Sequence, residues 1–137
     1  MSLNITCFLI DDDVDDQDIF ILALEEIDPS IKCRVANDGI EALQQLNGDG
    51  HFRPDYIFLD LNMPRMNGKQ CLEQIKKVDA LLGIPVVIYS TSSDQKELTE
   101  TRQLGASDYI VKPNTVSALA DTLARFFHIS PKSSTRK

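Results

Sequence analysis

Tyr56-Ile57-Phe58-Leu59-Asp60 is a short apolar run that ends abruptly on a carboxylate. A charge in that position is costly if it stays buried without a partner. The direct reading is a strand whose end carries a working residue. Four further runs of the same kind flank it: Ile5 to Ile10, Ile31 to Ala36, Pro85 to Tyr89, and Tyr109 to Val111. All are short and rich in β-branched or aromatic residues, the pattern of strands covered on both faces.

Between the runs the apolar period lengthens to that of a helix. Ile19, Leu22, Ala23 and Ile27 fall on one face after the first run, and Ile40, Leu43 and Leu46 after the second. Asp38 with Glu41 three residues on reads as a capping box. Asn67-Gly68 marks the turn into a third helix carrying Leu72 and Ile75. Ser93 to Leu104 is helical in pattern but polar, with Leu98 and Leu104 as its large apolar residues and Gly105 as a left-handed stop. Asn114 is placed to cap a last helix that presents Val116, Leu119, Ala120, Leu123 and Phe127. Alternating strands and helices predict an α/β protein with a parallel sheet between two helical layers. Ligands of such sheets sit outside the carboxyl ends of the strands.

The strand ends are where the polar groups collect. Asp11, Asp12 and Asp13 follow the first run, Asp60 ends the third, Ser90 and Thr91 follow the fourth, and Lys112-Pro113 follows the fifth. Crowded carboxylates repel one another and need a compensating cation. A hard divalent ion with oxygen ligands and room for phosphate suits Mg²⁺. Metal, ammonium and hydroxyl together can hold the equatorial oxygens of a phosphoryl group in flight, leaving one carboxylate as nucleophile. Each element has a plainer use, since an Asp triplet also favours a helix N-terminus and serine also caps. Their joint placement at strand ends favours the chemical reading.

Composition narrows the field. The 137 residues fit one domain, with 42% hydrophobic and 26% charged residues. A net charge of −7 argues against general nucleic-acid binding. No apolar run reaches a membrane span and no signal peptide is visible, so a cytoplasmic protein is expected. Cys7, Cys33 and Cys71 read as small buried fillers, and the solitary His51 and His128 as structural or surface residues. Neither a P-loop nor a dinucleotide loop follows the first strand. Asn47 to Pro54, with Gly48 and Gly50, reads as a long loop. Residues 131–137, with Lys132, Arg136 and Lys137, read as a disordered polar and basic tail beyond a domain at 1–130.

Taken in order, Phe8-Leu9-Ile10-Asp11-Asp12-Asp13, Leu59-Asp60-Leu61-Asn62-Met63-Pro64-Arg65-Met66-Asn67-Gly68, Pro85 to Thr91 and Asp108 to Pro113 resemble the receiver domain of bacterial response regulators. The spacings of 30 residues from Asp60 to Ser90 and 22 from Ser90 to Lys112 match as well. The resemblance implies a stand-alone, CheY-like receiver of a two-component or phosphorelay system, with a flavodoxin-like (βα)5 fold and strand order 2-1-3-4-5. Asp60 would be phosphorylated by a histidine kinase or histidine phosphotransfer protein. Asp12, Asp11, Asp60 and the Asn62 carbonyl would hold Mg²⁺, for which Mn²⁺ substitutes. Ser90 and Lys112 would contact the phosphoryl group, and Tyr109 would turn inward as Ser90 moves. A cis bond before Pro113 is implied, as are rate-tuning positions at Asn62, Thr91 and Ser92. Ser90 stands where many relatives have threonine, and Thr91 where they have a smaller residue. Output would run through the last two helices and fifth strand to a downstream protein, as a monomer or a phosphorylation-dependent dimer. Such a protein modifies itself and is not an enzyme acting on other substrates.

Two rivals compete with that reading. A phosphatase of the haloacid dehalogenase type would use Asp11 as nucleophile and Asp13 as second acid, but it leaves Asp60 and Asn62-Met63-Pro64 unexplained. A protein-interaction module that keeps the fold without switching would have no need of the full acceptor set.

Overall fold

The computed structural model describes residues 4–48 and 52–129. Along the chain run β1 (Thr6–Ile10), α1 (Val14–Ile27), β2 (Lys32–Ala36), α2 (Gly39–Gly48), β3 (Tyr56–Leu59) and α3 (Gly68–Lys76). They continue with β4 (Val86–Ser90), α4 (Gln95–Gln103), β5 (Asp108–Val111) and α5 (Val116–Phe126). All strand pairs are parallel, in the order β2-β1-β3-β4-β5. This is the flavodoxin-like arrangement expected.

Successive strand side chains point to opposite faces, and the central strands therefore feed two cores. Phe8, Ile10, Ile57, Leu59, Val86 and Ile88 pack with Ala42 and Leu46 of α2 and Cys71, Leu72 and Ile75 of α3. Leu9, Phe58, Val87 and Tyr89 pack with Phe20, Ala23, Leu24 and Ile27 of α1 and with Leu119 and Leu123 of α5. The edge strands β2 and β5 are only partly covered, unlike the fully buried runs expected. Cys7 and Cys71 are buried as expected while Cys33 is half-buried, and burial pushes the thiols of Cys33 and Cys71 up to about 12.

Several local expectations shift. Leu22 is 50% exposed, because α1 buries the face through Phe20 and Leu24 instead. Ile40 is likewise exposed, at 38%. The α2 cap holds, with the Glu41 N–H donating to Asp38 Oδ1 at 2.8 Å, but the glutamate reaches back to the Asn37 N–H rather than to Asp38's own. Thr115, not Asn114, caps α5, accepting from the Ala118 N–H. His128 takes a left-handed conformation after α5, and the Ile129 N–H closes the helix end on the Ala124 carbonyl at 2.8 Å.

The expected loop from Asn47 is shorter at its start, since α2 runs through Gly48. At its other end Phe52 is buried, set edge-on against Phe8 with the Arg34 guanidinium 4.0 Å above its ring. Residues 49–51, with Gly50 and His51, and the tail with Lys132, Arg136 and Lys137 lie outside the described residues.

α4 is the least embedded helix. Its one buried residue is Thr101, whose hydroxyl donates to the Glu97 carbonyl at 2.8 Å. Gly105 ends it with φ of +107°, the left-handed stop expected. α3 is the opposite case. A Cβ on Gly68 would lie 2.4 Å from the Asp60 carbonyl oxygen and 2.6 Å from Leu61 Cα. Both are backbone atoms of the loop that leaves β3. We therefore expect Gly68→Ala to destabilise the fold by about 2–3 kcal/mol in urea unfolding. Gly48→Ala, with nothing near its Cβ position, should leave stability unchanged or raise it by up to about 1 kcal/mol.

Candidate functional site

Two neighbouring strands bring the first pair of carboxylates together. Asp11 leaves β1 with its N–H donating to the Ala36 carbonyl, and Asp60 leaves β3 with its N–H donating to the Ile10 carbonyl at 2.9 Å. Both are buried, at 0% and 5% exposure, while Asp12 beside them is exposed. One oxygen from each of Asp11, Asp12 and Asp60 lies within 4.8 Å of the others. Hard oxygen donors at that spacing fit a small divalent cation such as Mg²⁺.

Lys112 enters from the far side of the sheet. Its N–H donates to the Ser90 carbonyl at 2.7 Å, which fixes the backbone just beyond β5. The ammonium donates to Asp11 Oδ2 at 2.9 Å and to Asp16 Oδ2 at 2.7 Å, and stands 3.8 Å from Asp60 Oδ1. Its side chain is 7% exposed. The bond before Pro113 is trans, since no cis peptide occurs among the described residues. The expected cis bond is absent, and the strand pairing and these ion pairs aim Lys112 instead.

Burial is the leading influence on the acids. It pushes the Asp60 carboxyl up to about 6, opposed by Lys112 and reinforced by the charge of Asp11. Asp11 is also raised by burial, against the pull of its hydrogen bond from Lys112. Burial alone would lower Lys112, but the hydrogen bonds to Asp16 and Asp11 outweigh it and hold the ammonium charged.

The remaining expected residues lie at or just past the ends of β3 and β4, or in β5. Ser90 is buried, and its hydroxyl oxygen accepts from the Ser92 N–H at 3.2 Å. Thr91 is exposed, and Ser92 half-buried. The Asn62 N–H approaches Asp60 Oδ1 at 3.4 Å. Tyr109 is half-buried, and its hydroxyl donates to the Ser92 carbonyl at 2.7 Å, tying β5 to the β4–α4 loop. Asp13 is committed elsewhere: it caps α1 by accepting from the Asp16 N–H. The acid cluster of the site takes in Asp12 and not Asp13, the second acid that the phosphatase alternative assigns.

Two contributors escaped the sequence reading. Asp16 is the nearest partner of Lys112, although its position in an acidic first turn reads as an ordinary helix start. Lys69 of α3 pairs with Glu97 and Glu100 of α4, bridging a cavity of about 120 Å³ lined by Leu61, Asn62, Asn67, Lys69 and Glu97. Only the lone lysine at the start of α3 and the two acids one turn apart on α4 hinted at it.

A carboxyl whose pKa is raised in the fold binds a proton the unfolded chain has lost. Asp60 therefore lowers stability as pH rises through the window from about 4 to about 6, and lowers it fully above that. In chelator, Asp60→Asn should be more stable than the parent at pH 7.5 by about 2–3 kcal/mol, with the gain gone near pH 4. Urea unfolding at the two pH values reads it. Mg²⁺ affinity of the parent should weaken as pH falls through about 6.

Residues 7–124 match the model of the response regulator receiver domain. Chemotaxis protein CheY-3 of Vibrio cholerae is 35% identical over 92 residues, 67% of this chain and 68% of that protein. The phosphorylated cyanobacterial phytochrome response regulator RcpA superposes with a TM-score of 0.81 at 30% identity, over 90% of this chain and 91% of RcpA. The Mn²⁺-bound form of response regulator Rcp1 gives 0.77 at 26% identity, over 91% and 94% of the two chains. This chain belongs to the response regulator receiver family, as a CheY-like receiver domain of two-component signalling.

Proposed function

We propose that Asp60 is the phosphoacceptor of a two-component or phosphorelay system, taking its phosphoryl group from a histidine kinase or histidine phosphotransfer protein. The Lys112 ammonium, buried among Asp11, Asp16 and Asp60, supports this reading most directly. Buried charges of one sign crowded round a single cation are poor structural glue. They suit a site that receives a phosphate.

In the transfer, an Asp60 oxygen attacks the phosphorus of a phosphohistidine. The P–N bond breaks, its electron pair stays on the imidazole, and an acyl phosphate remains on Asp60. Mg²⁺, or Mn²⁺ in its place, supplies charge neutralisation when held by Asp11, Asp12, Asp60 and the Asn62 carbonyl. Lys112 offers a fixed positive charge to the phosphoryl oxygens. Ser90 donates its hydroxyl proton to one of them, which leaves its acceptor role toward Ser92 intact. Asn62, Thr91 and Ser92 border the approach and tune the rates. The chain modifies itself and turns over no other substrate.

The new group adds about −1.5 to −2 charges at one point. Drawing Ser90 toward it pulls on the loop whose Ser92 carbonyl holds the Tyr109 hydroxyl. α4, with little buried surface, is the helix that yields. The face of α4, β5 and α5 then changes for a downstream protein partner. In this reading residues 1–130 are the receiver, 131–137 a tail, and the donor is met in the cytoplasm.

Borohydride trapping after acetyl phosphate treatment should map the label to Asp60 by mass spectrometry, and Asp60→Asn should remove it. Label on Asp11 would refute the assignment. Beryllofluoride with Mg²⁺ should shift amide signals mainly across residues 90–112, whereas shifts confined to the acidic pocket contradict the switch. Thr91→Ala should change the phosphorylation or dephosphorylation rate several-fold, and equal rates would deny Thr91 its tuning role.

A further inference from the structure

We propose that Asp16 is a positioning residue that competes with the phosphorylated Asp60 for the Lys112 ammonium, and so sets how tightly the site holds a phosphoryl group. The inference rests on the reading of Asp60 as phosphoacceptor.

An ammonium carries three donor protons. In this structure Lys112 donates to Asp16 at 2.7 Å and Asp11 at 2.9 Å, while Asp60 at 3.8 Å is outside hydrogen-bond range. Lys112 is thus closest to the one acid of the three that does not belong to the metal-ligating cluster of Asp11, Asp12 and Asp60. Asp16 sits in the first turn of α1, where its N–H is fixed by the Asp13 carboxylate at 3.1 Å. Its backbone is anchored by the same loop that carries Asp11 and Asp12. The carboxylate is therefore presented to Lys112 from a fixed point, on the solvent side of the ammonium.

The two partners differ in what it costs to leave them. Asp11 is fully buried, and a buried carboxylate that loses its cation is strongly destabilised. The Asp16 side chain is 30% exposed, so water replaces the ammonium there. When a phosphoryl group on Asp60 attracts Lys112, the Asp16 bond is the one that opens. Until then Asp16 neutralises part of the charge that the phosphoryl group would otherwise meet in full. The consequence is weaker binding of the phosphoryl group and a shorter acyl phosphate lifetime than Lys112 alone would give.

The test uses the full chain at saturating Mg²⁺, titrated with beryllofluoride, beside acyl phosphate lifetimes after acetyl phosphate. Asp16→Asn, which removes the charge but keeps the shape, should bind beryllofluoride about 3- to 10-fold more tightly and lose its phosphate more slowly. Asp16→Glu, which restores a carboxylate, should return both values toward the parent. A role confined to folding would move the melting temperature and leave both ligand readouts in place. Equal or weaker binding by Asp16→Asn overturns the competition. In a structure of the parent chain with beryllofluoride, the Lys112–Asp16 distance should open beyond about 3.5 Å, and an unchanged bond overturns it as well, whatever the variants do. Failure of the parent itself to bind beryllofluoride or take a phosphoryl group would instead strike the phosphoacceptor reading, and this inference with it.

Discussion

The Lys112 ammonium is the charge on which the carboxyl edge of the sheet depends. Asp11 and Asp60 are both buried where their strands end, and neither position tolerates an uncompensated anion. Lys112 arrives from sequence distances of 101 and 96 residues to meet Asp11 and Asp16. In doing so it joins the end of β5 to the ends of β1 and β3 and to the start of α1. One cation does not balance this many carboxylates, and burial, with the charge of Asp11 as a smaller addition, keeps the Asp60 carboxyl raised in spite of Lys112. Its structural role and its chemical readiness are one property seen at two levels.

Around that edge the two helical layers are held in different ways. α1 and α5 share an apolar core with β1, β3 and β4, reinforced by the ring contacts of Phe20, Phe58, Tyr89 and Phe126. On the other side α2 and α3 are likewise seated on apolar residues, but α4 buries only Thr101, whose hydroxyl bonds within its own helix, and is tied to α3 by Lys69 against Glu97 and Glu100. Polar attachments near the surface are worth little each and exchange readily with water. The helix beside the site is therefore the one whose position depends least on core packing.

The fold was largely legible in the sequence because its signals are coarse. Five apolar runs closed by turn or charged residues survive an error of a residue or two. Helix faces were harder. Ile19 to Leu24 is an unbroken apolar run, so the period fits a face through Leu22 as well as the face through Phe20 and Leu24 that is buried. Adjacent cap formers posed the same ambiguity at Asn114 and Thr115, and backbone geometry decided for threonine. The strand-end residues Asp11, Asp60, Ser90 and Lys112 were readable because topology alone brings strand ends together. Asp16 was not, since its contact depends on how the first turn of α1 faces the sheet edge, and an acid there has an ordinary electrostatic use. Lys69 with Glu97 and Glu100 was hidden for a related reason. A cross-helix ion pair leaves no periodic trace.

The missing side chain at Gly68 has a mechanical consequence. Because α3 bears directly on the Asp60–Leu61 backbone with no gap for even a methyl group, the β3 side of the site is stiff. The β4–β5 side, with a polar helix and a tyrosine hinged on one hydrogen bond, is compliant. A load applied at Asp60 would meet backbone without slack on the β3 side and softer, more polar packing on the β4–β5 side.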